Sequence, residues 1–236
     1  QLESALSELK TVDNLRPFVE LNPYREVLSK ANEFVGYLPN AETVEPDTKL
    51  GLDDMFELVR KADEDYRTLQ EKKEKLKQKI EEYRAKQQIV APFRPLECDL
   101  HRVLHYRYIT YRFGRIAVEF YHKMQKYLMD DLKAIFVEGE RDESYVYGVY
   151  FVSQAETQKV DAVFRSLHFE RIELKDEFEG TPDTAYRVLE NEIARVNLEI
   201  EDLDKQAGEM LADRAPQLVA ARDRLEELSN NFDVRK

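Results

Sequence analysis

Between residues 49 and 88 the apolar positions recur three and four apart: Leu52, Met55, Val59, Ala62, Tyr66, Leu69, Leu76, Ile80 and Tyr83, with polar Lys73 and Gln87 completing the register. This spacing is a heptad seam over about five repeats, and it predicts a helix buried along one stripe. Glu and Lys alternate between the seam positions, as over residues 71–75, and such a run reads as a solvated helix face rather than a binding patch. Pro92 and Pro95 withdraw backbone donors and end the helix. A second seam follows Gly180, Thr181 and Pro182, which supply a turn, a capping hydroxyl and a proline for the first helical position. Its apolar positions are Leu189, Ile193, Val196, Ile200, Leu203, Ala207 and Met210, and it stops at Pro216. At 1.5 Å per residue the two helices reach about 60 and 50 Å. Neither stripe is buried alone. The first seam runs into the intervening segment and the second runs out of it, so within one chain they pair antiparallel. Packing of each seam on a different molecule is the alternative.

The insert, residues 100–179, changes period. Tyr106 to Phe113 alternates like a strand ending at Gly114, and 117–129 reads as an amphipathic helix on Phe120, Tyr121, Met124, Tyr127 and Leu128. Ala134 to Val137 is a short apolar run before a polar turn at 138–143, and Tyr145 to Val152 is a further strand. A helix over 155–167 and a last strand from Phe169 to Leu174 complete a β-α-β-β-α-β order. That order is the ferredoxin-like arrangement of a four-stranded antiparallel sheet with two helices on one face.

At the ends, Asn22 and Pro23 open a helix carrying Val27, Leu28, Ala31, Phe34 and Val35, and residues 217–229 carry Leu218, Ala221, Leu225 and Leu228. The chain opens inside an apolar-periodic stretch, Leu2, Ala5, Leu6 and Leu9, as expected of a helix whose start lies upstream. The expected fold is therefore α+β and mostly helical: a long antiparallel two-helix coiled coil carrying the lobe, with short helices bundled at the other end. Its divisions are short helices over 1–48, the first coil helix over 49–92, the α/β lobe over 93–179, the second coil helix over 180–215 and a terminal helix over 216–236. Gly208 costs about 1 kcal/mol relative to alanine in a helix, so 208–216 is a candidate compliant point, with a plain helix end as the other reading.

A net charge of −12 argues against nucleic acid, which needs a basic footprint. The one cysteine, Cys98, excludes an internal disulfide, and no apolar run approaches the length of a spanning helix. Gly114 and Gly148 are isolated, so no phosphate loop is present, and the carboxylates spread along helix faces as solvating groups do. Cys98, His101 and His105, with Glu97 and Asp99, are the only metal-ligand candidates, without firm zinc spacing. No enzyme, cofactor, metal or small-molecule substrate is expected. On the sheet, Ile109, Tyr111, Phe113, Val146, Tyr150, Val152, Ile172 and Leu174 are expected to face the lobe's helices. The alternate set, Tyr106, Tyr108, Tyr145, Tyr147 and Arg171, then lies on the open face. Its composition suits an interface, unless residues 92–99 or the coil cover it.

The runs YITYRFGRI over 108–116, YVYGVYF over 145–151, FERIEL over 169–174 and GTP over 180–182, followed by a heptad helix and NFDVR at 231–235, resemble subunit I of V-type ATPases and ATP synthases, the counterpart of eukaryotic subunit a. The resemblance spans most of the chain and is densest at 106–200. It implies a cytoplasmic outer lobe with its coil, on the cytoplasmic side of a multi-pass parent whose membrane half carries the ion path. It also implies a peripheral-stalk partner, the heterodimeric coil of subunits E and G, and a role in coupling ATP turnover to proton or sodium transport. A generic coiled-coil tether, or a ligand-sensing lobe, are the alternatives.

Overall fold

The computed structural model describes residues 21–235, so the helix expected on Leu2, Ala5, Leu6 and Leu9 lies outside the described residues. In chain order the elements are α1 (Arg25–Gly36), α2 (Leu52–Val90), α3 (Leu100–Leu104), β1 (Ile109–Ala117), α4 (Val118–Asp130), β2 (Ala134–Arg141), β3 (Tyr145–Ser153), α5 (Thr157–Ser166), β4 (Glu170–Arg171), α6 (Pro182–Asp213) and α7 (Ala215–Val234). The fold is α+β and mostly helical. The chain divides into two compact units, Gln1–Glu71 with Leu203–Lys236, and Lys72–Asp202.

The first unit is a helical bundle. Ala31, Phe34 and Val35 of α1 pack with Met55, Val59 and Ala62 of α2, Leu211 of α6, and Leu218, Ala221 and Leu225 of α7. These residues form one stripe per helix, which is why the elements meet here. The Asn22 carboxamide accepts from the Tyr24 amide at 3.0 Å, fixing the entry to α1. Its nitrogen donates to the Ser229 carbonyl and hydroxyl at 3.1 and 2.9 Å, tying that entry to α7.

Pro216 ends one helix by starting another. Arg214, with φ −103° and ψ 7°, separates α6 from α7, and the proline occupies the first turn of α7, where a missing N–H is tolerated. The guanidinium of Arg214 donates to Asp65 on α2 at 2.6 Å, so the joint is tied to its neighbour. Helix α6 runs unbroken through Gly208.

In the second unit the ends of α2 and α6 run antiparallel, with Ile80, Val90, Ala185, Leu189 and Val196 buried. The Gln87 side chain reaches the Tyr186 carbonyl at 3.5 Å. Between them in sequence lies the sheet, in the order β2-β3-β1-β4 with every neighbour antiparallel, the arrangement that the β-α-β-β-α-β reading predicts. Three details differ from expectation. Strand β1 starts at Ile109 and continues through Gly114 to Ala117, leaving Tyr106 and Tyr108 ahead of it. The polar run 138–143 is only partly a turn, since β2 extends to Arg141 with a register shift between Glu138 and Arg141. The last strand is two residues long.

Gly114 does not end β1. It faces Gly148 across the β1–β3 pair, and neither position has room for a Cβ. A methyl at Gly114 would meet the Glu170 carbonyl and the Phe169 ring, and one at Gly148 would lie 2.5 Å from the Phe136 ring. The two glycines let these rings lie flat against the sheet. Phe164 of α5 then packs between them, 6.4 Å from Phe136 and 5.4 Å from Phe169, and 3.8 Å from Tyr150.

Candidate interaction surface

The two faces of the sheet follow from its register. Thr110 pairs with Val152, Arg112 with Tyr150 and Ile116 with Val146. Cross-strand partners point the same way, so Val146, Tyr150 and Val152 share a face with Thr110 and Arg112, and not with Tyr111 and Phe113. This corrects five of the eight residues expected to face the helices: Ile109, Tyr111, Phe113, Ile172 and Leu174. Val146, Tyr150 and Val152 do pack with Tyr121, Met124, Val160 and Phe164 of α4 and α5. Tyr111, Phe113, Ile172 and Leu174 belong instead to the opposite cluster, with Val90, Phe93, Leu96, Leu100 and Val103.

Two polar residues of β1 stand under the helices because α5 meets them. Thr157 bonds Thr110 at 2.9 Å, and Asp161 takes Arg112 at 3.3 Å. Asp161 also accepts the Tyr150 hydroxyl at 2.6 Å and pairs with Arg171 at 3.1 Å. Burial and then the Asp161 carboxylate hold the Tyr150 phenol well above its ordinary pKa, so it remains a donor. Arg171 therefore lies on the helix side, apart from the tyrosines with which it was grouped. Its partner in register, Gly114, shows the same side.

The other face is not uniformly open. Phe93, in the short turn Ala91–Phe93 that ends α2, sets its ring 5.2 Å from Phe113 and 6.3 Å from Tyr147. The Pro92 carbonyl lies 2.6 Å from where a Cβ would stand at Gly139, so the turn lies directly on β2. The proline-bearing segment thus covers the half of the face around Val149 and Tyr147. Tyr145 lies under the Arg115 guanidinium at 3.9 Å, and Arg115 bonds Glu170 at 2.6 Å and Tyr147 at 3.5 Å. Both rings are half-buried within the lobe.

Among the described residues nothing roofs the remaining half. Ile109 is 44% exposed and Ile135 is 67% exposed, and Tyr108, the residue before β1, is 79% exposed. A shallow groove there is lined by Ile109, Leu132, Lys133, Ile135, Phe151 and Ser153. Tyr106 is also exposed, just after α3. Of the five expected contact residues, Tyr106 and Tyr108 face solvent, Tyr145 and Tyr147 are engaged inside the lobe, and Arg171 faces the other way. Ile135 and Phe151 were missed. The apolar alternation of β2 was visible, but the partial cover of its face depends on where residues 91–96 lie.

The metal-ligand candidates stand on and beside α3, which Asp99 caps by accepting from the Arg102 amide at 3.1 Å. His105 bonds the His101 carbonyl at 2.7 Å through Nδ1, and its Nε2 lies 3.4 Å from Asp176. Burial raises the Cys98 thiol pKa. Among the described residues no group of three or more His, Cys, Asp or Glu side chains converges as a metal site. No described helix is long and apolar enough to cross a membrane.

No family model matches the chain, and no curated protein matches it. Among solved structures it is similar to one described as the cytoplasmic N-terminal domain of subunit I, homolog of subunit a, of V-ATPase. The identity is 13% and the TM-score 0.47, over 89% of this chain and 70% of that one.

Proposed function

We propose that this chain is a stationary, non-catalytic cytoplasmic part of a rotary V-type ATPase or ATP synthase, docking the peripheral stalk formed by subunits E and G. The observation that carries the reading is the insertion of a ferredoxin-like lobe between two seam helices that run antiparallel, with the family-like motifs falling on β1, β3, β4 and the start of α6. The helix-side interior of the lobe is filled by aromatic rings and by the pairing of Arg112 and Arg171 with Asp161.

The physical role follows from torque. Turning a rotor by ATP hydrolysis requires a stationary partner that resists rotation. Helices held by seam packing resist bending better than a flexible linker. Calorimetric titration of the chain with the purified E–G heterodimer of the same organism tests the reading. Saturable binding is expected, and no heat at high micromolar concentration would favour a generic tether.

A further inference from the structure

Two lone-pair donors meet beside α3. The Nδ1 atom of His105 lies 2.7 Å from the His101 carbonyl oxygen. A carbonyl only accepts, so Nδ1 carries the proton and Nε2 of the neutral ring keeps its lone pair. That Nε2 faces the Asp176 carboxylate, 3.4 Å from Oδ1. Two acceptors held face to face repel unless a cation, a proton or a metal ion, lies between them. The spacing is long for a charge-assisted hydrogen bond, which closes to about 2.7–2.9 Å. It matches the separation of about 3.3–3.4 Å between two ligands of a tetrahedral ion bonded at about 2.0–2.1 Å. The His101 ring stands next to them, its centroid 4.5 Å from that of His105, because positions i and i+4 share a face of a helical turn. The loop carrying Asp176 is held on its far side as well. Lys86 pairs with Glu177 at 2.9 Å, Phe178 is buried, and the Leu100 amide donates to the Gly180 carbonyl at 2.8 Å.

We infer that His105, Asp176 and His101 bind a divalent transition-metal ion of the zinc type. Two of the ligands already oppose each other, the exposed His101 ring becomes the third by rotating about its side-chain bonds, and water completes four-coordination. Two imidazoles with one carboxylate suit zinc, whereas magnesium and calcium take oxygen ligands. The ligand set differs from the one that sequence proximity suggests. Asp99 is engaged at the cap of α3 and Cys98 is half-buried, while Asp176 arrives from the loop that leads into α6. The hydrogen bond from His105 to the His101 carbonyl fixes the tautomer, as the outer hydrogen bonds of metal-bound histidines do. A bound ion staples α3 to that loop, and this holds whether or not the stalk binds.

The test is calorimetric titration of zinc chloride into the full chain in a non-chelating buffer, with magnesium chloride as the control. One saturable zinc site is expected, with no heat from magnesium. Zinc at a hundredfold excess over its Kd should raise the melting temperature by about 5 °C, and a chelator should reverse the rise. His105→Ala and Asp176→Asn should each weaken binding by roughly tenfold or more, while Cys98→Ser leaves it unchanged. Both altered side chains are exposed, and circular dichroism checks that the variants fold; if one fails, the other serves alone. Cobalt chloride in place of zinc should give visible absorption without a thiolate charge-transfer band. Absence of saturable zinc binding overturns the inference and assigns the facing pair to a protonated His105. Zinc binding that survives both His105→Ala and Asp176→Asn, or that Cys98→Ser abolishes, places the ion elsewhere and overturns it too.

Discussion

The bundle of the first unit and the core of the lobe bury apolar surface by different means. In the bundle the buried set is Ala31, Phe34, Leu218, Ala221, Leu225 and similar residues, and the one buried polar side chain among the described residues, Ser229, is bonded by Asn22. The helix-side core of the lobe stacks aromatic rings over two facing glycines and brings Arg112, Arg171 and Tyr150 onto a single carboxylate. Aliphatic packing asks mainly for volume and tolerates exchange of shape. Rings on glycine and a shared carboxylate ask for one geometry. The lobe is thus built in the less forgiving way.

The comparison can be broken at its strongest point by paired substitutions. Leu218→Ala should cost about 3 kcal/mol through the cavity it leaves, while Leu218→Met stays within about 1.5 kcal/mol. Gly148→Ala, a single added methyl, should cost about 2 kcal/mol, because the Phe136 ring and the Val137 carbonyl hold the space. Denaturant melts of the three variants settle this. A neutral Gly148→Ala would remove the claimed difference between the regions.

A smaller effect separates the electrostatics of the bundle from its packing. Hydrogen bonds from Arg214 and Lys61 hold the Asp65 carboxyl below its usual pKa. A carboxyl depressed in the folded state adds stability above its unfolded pKa, about 3.9, and loses it as pH falls through the lower folded value. Melting temperature below pH 4 should therefore fall less steeply in Asp65→Asn than in the wild-type chain. Parallel acid profiles would mean that the Arg214 joint is held by packing alone.

The sequence made the helices legible because a 3.6-residue period is local: Val59, Ala62, Leu211 and Leu218 announce their stripes without knowledge of their partners. The strand order was legible for the same reason, from alternation and turns. Register was not. Whether Tyr150 shares a face with Phe113 or with Arg112 depends on pairing set by the β1–β3 connection, and a one-residue slip reverses every side chain. Sorting residues by hydrophobicity then placed Phe113 under the helices and left out Arg112, whose charge is accepted there only because Asp161 lies on α5. Gly114 was misread as a strand end because its close approach to Glu170 and Phe169 arises some 55 residues further along the chain. The bare half-face escaped notice because its limit is set by Phe93, in a turn distant in sequence from the sheet.

Hydrogen exchange of the chain, free and saturated with the E–G heterodimer, tests the stator account most directly, since it asks both whether the stalk binds and where. The account predicts slowed exchange within the lobe, between residues 106 and 174. No slowing anywhere between residues 72 and 202 would contradict it.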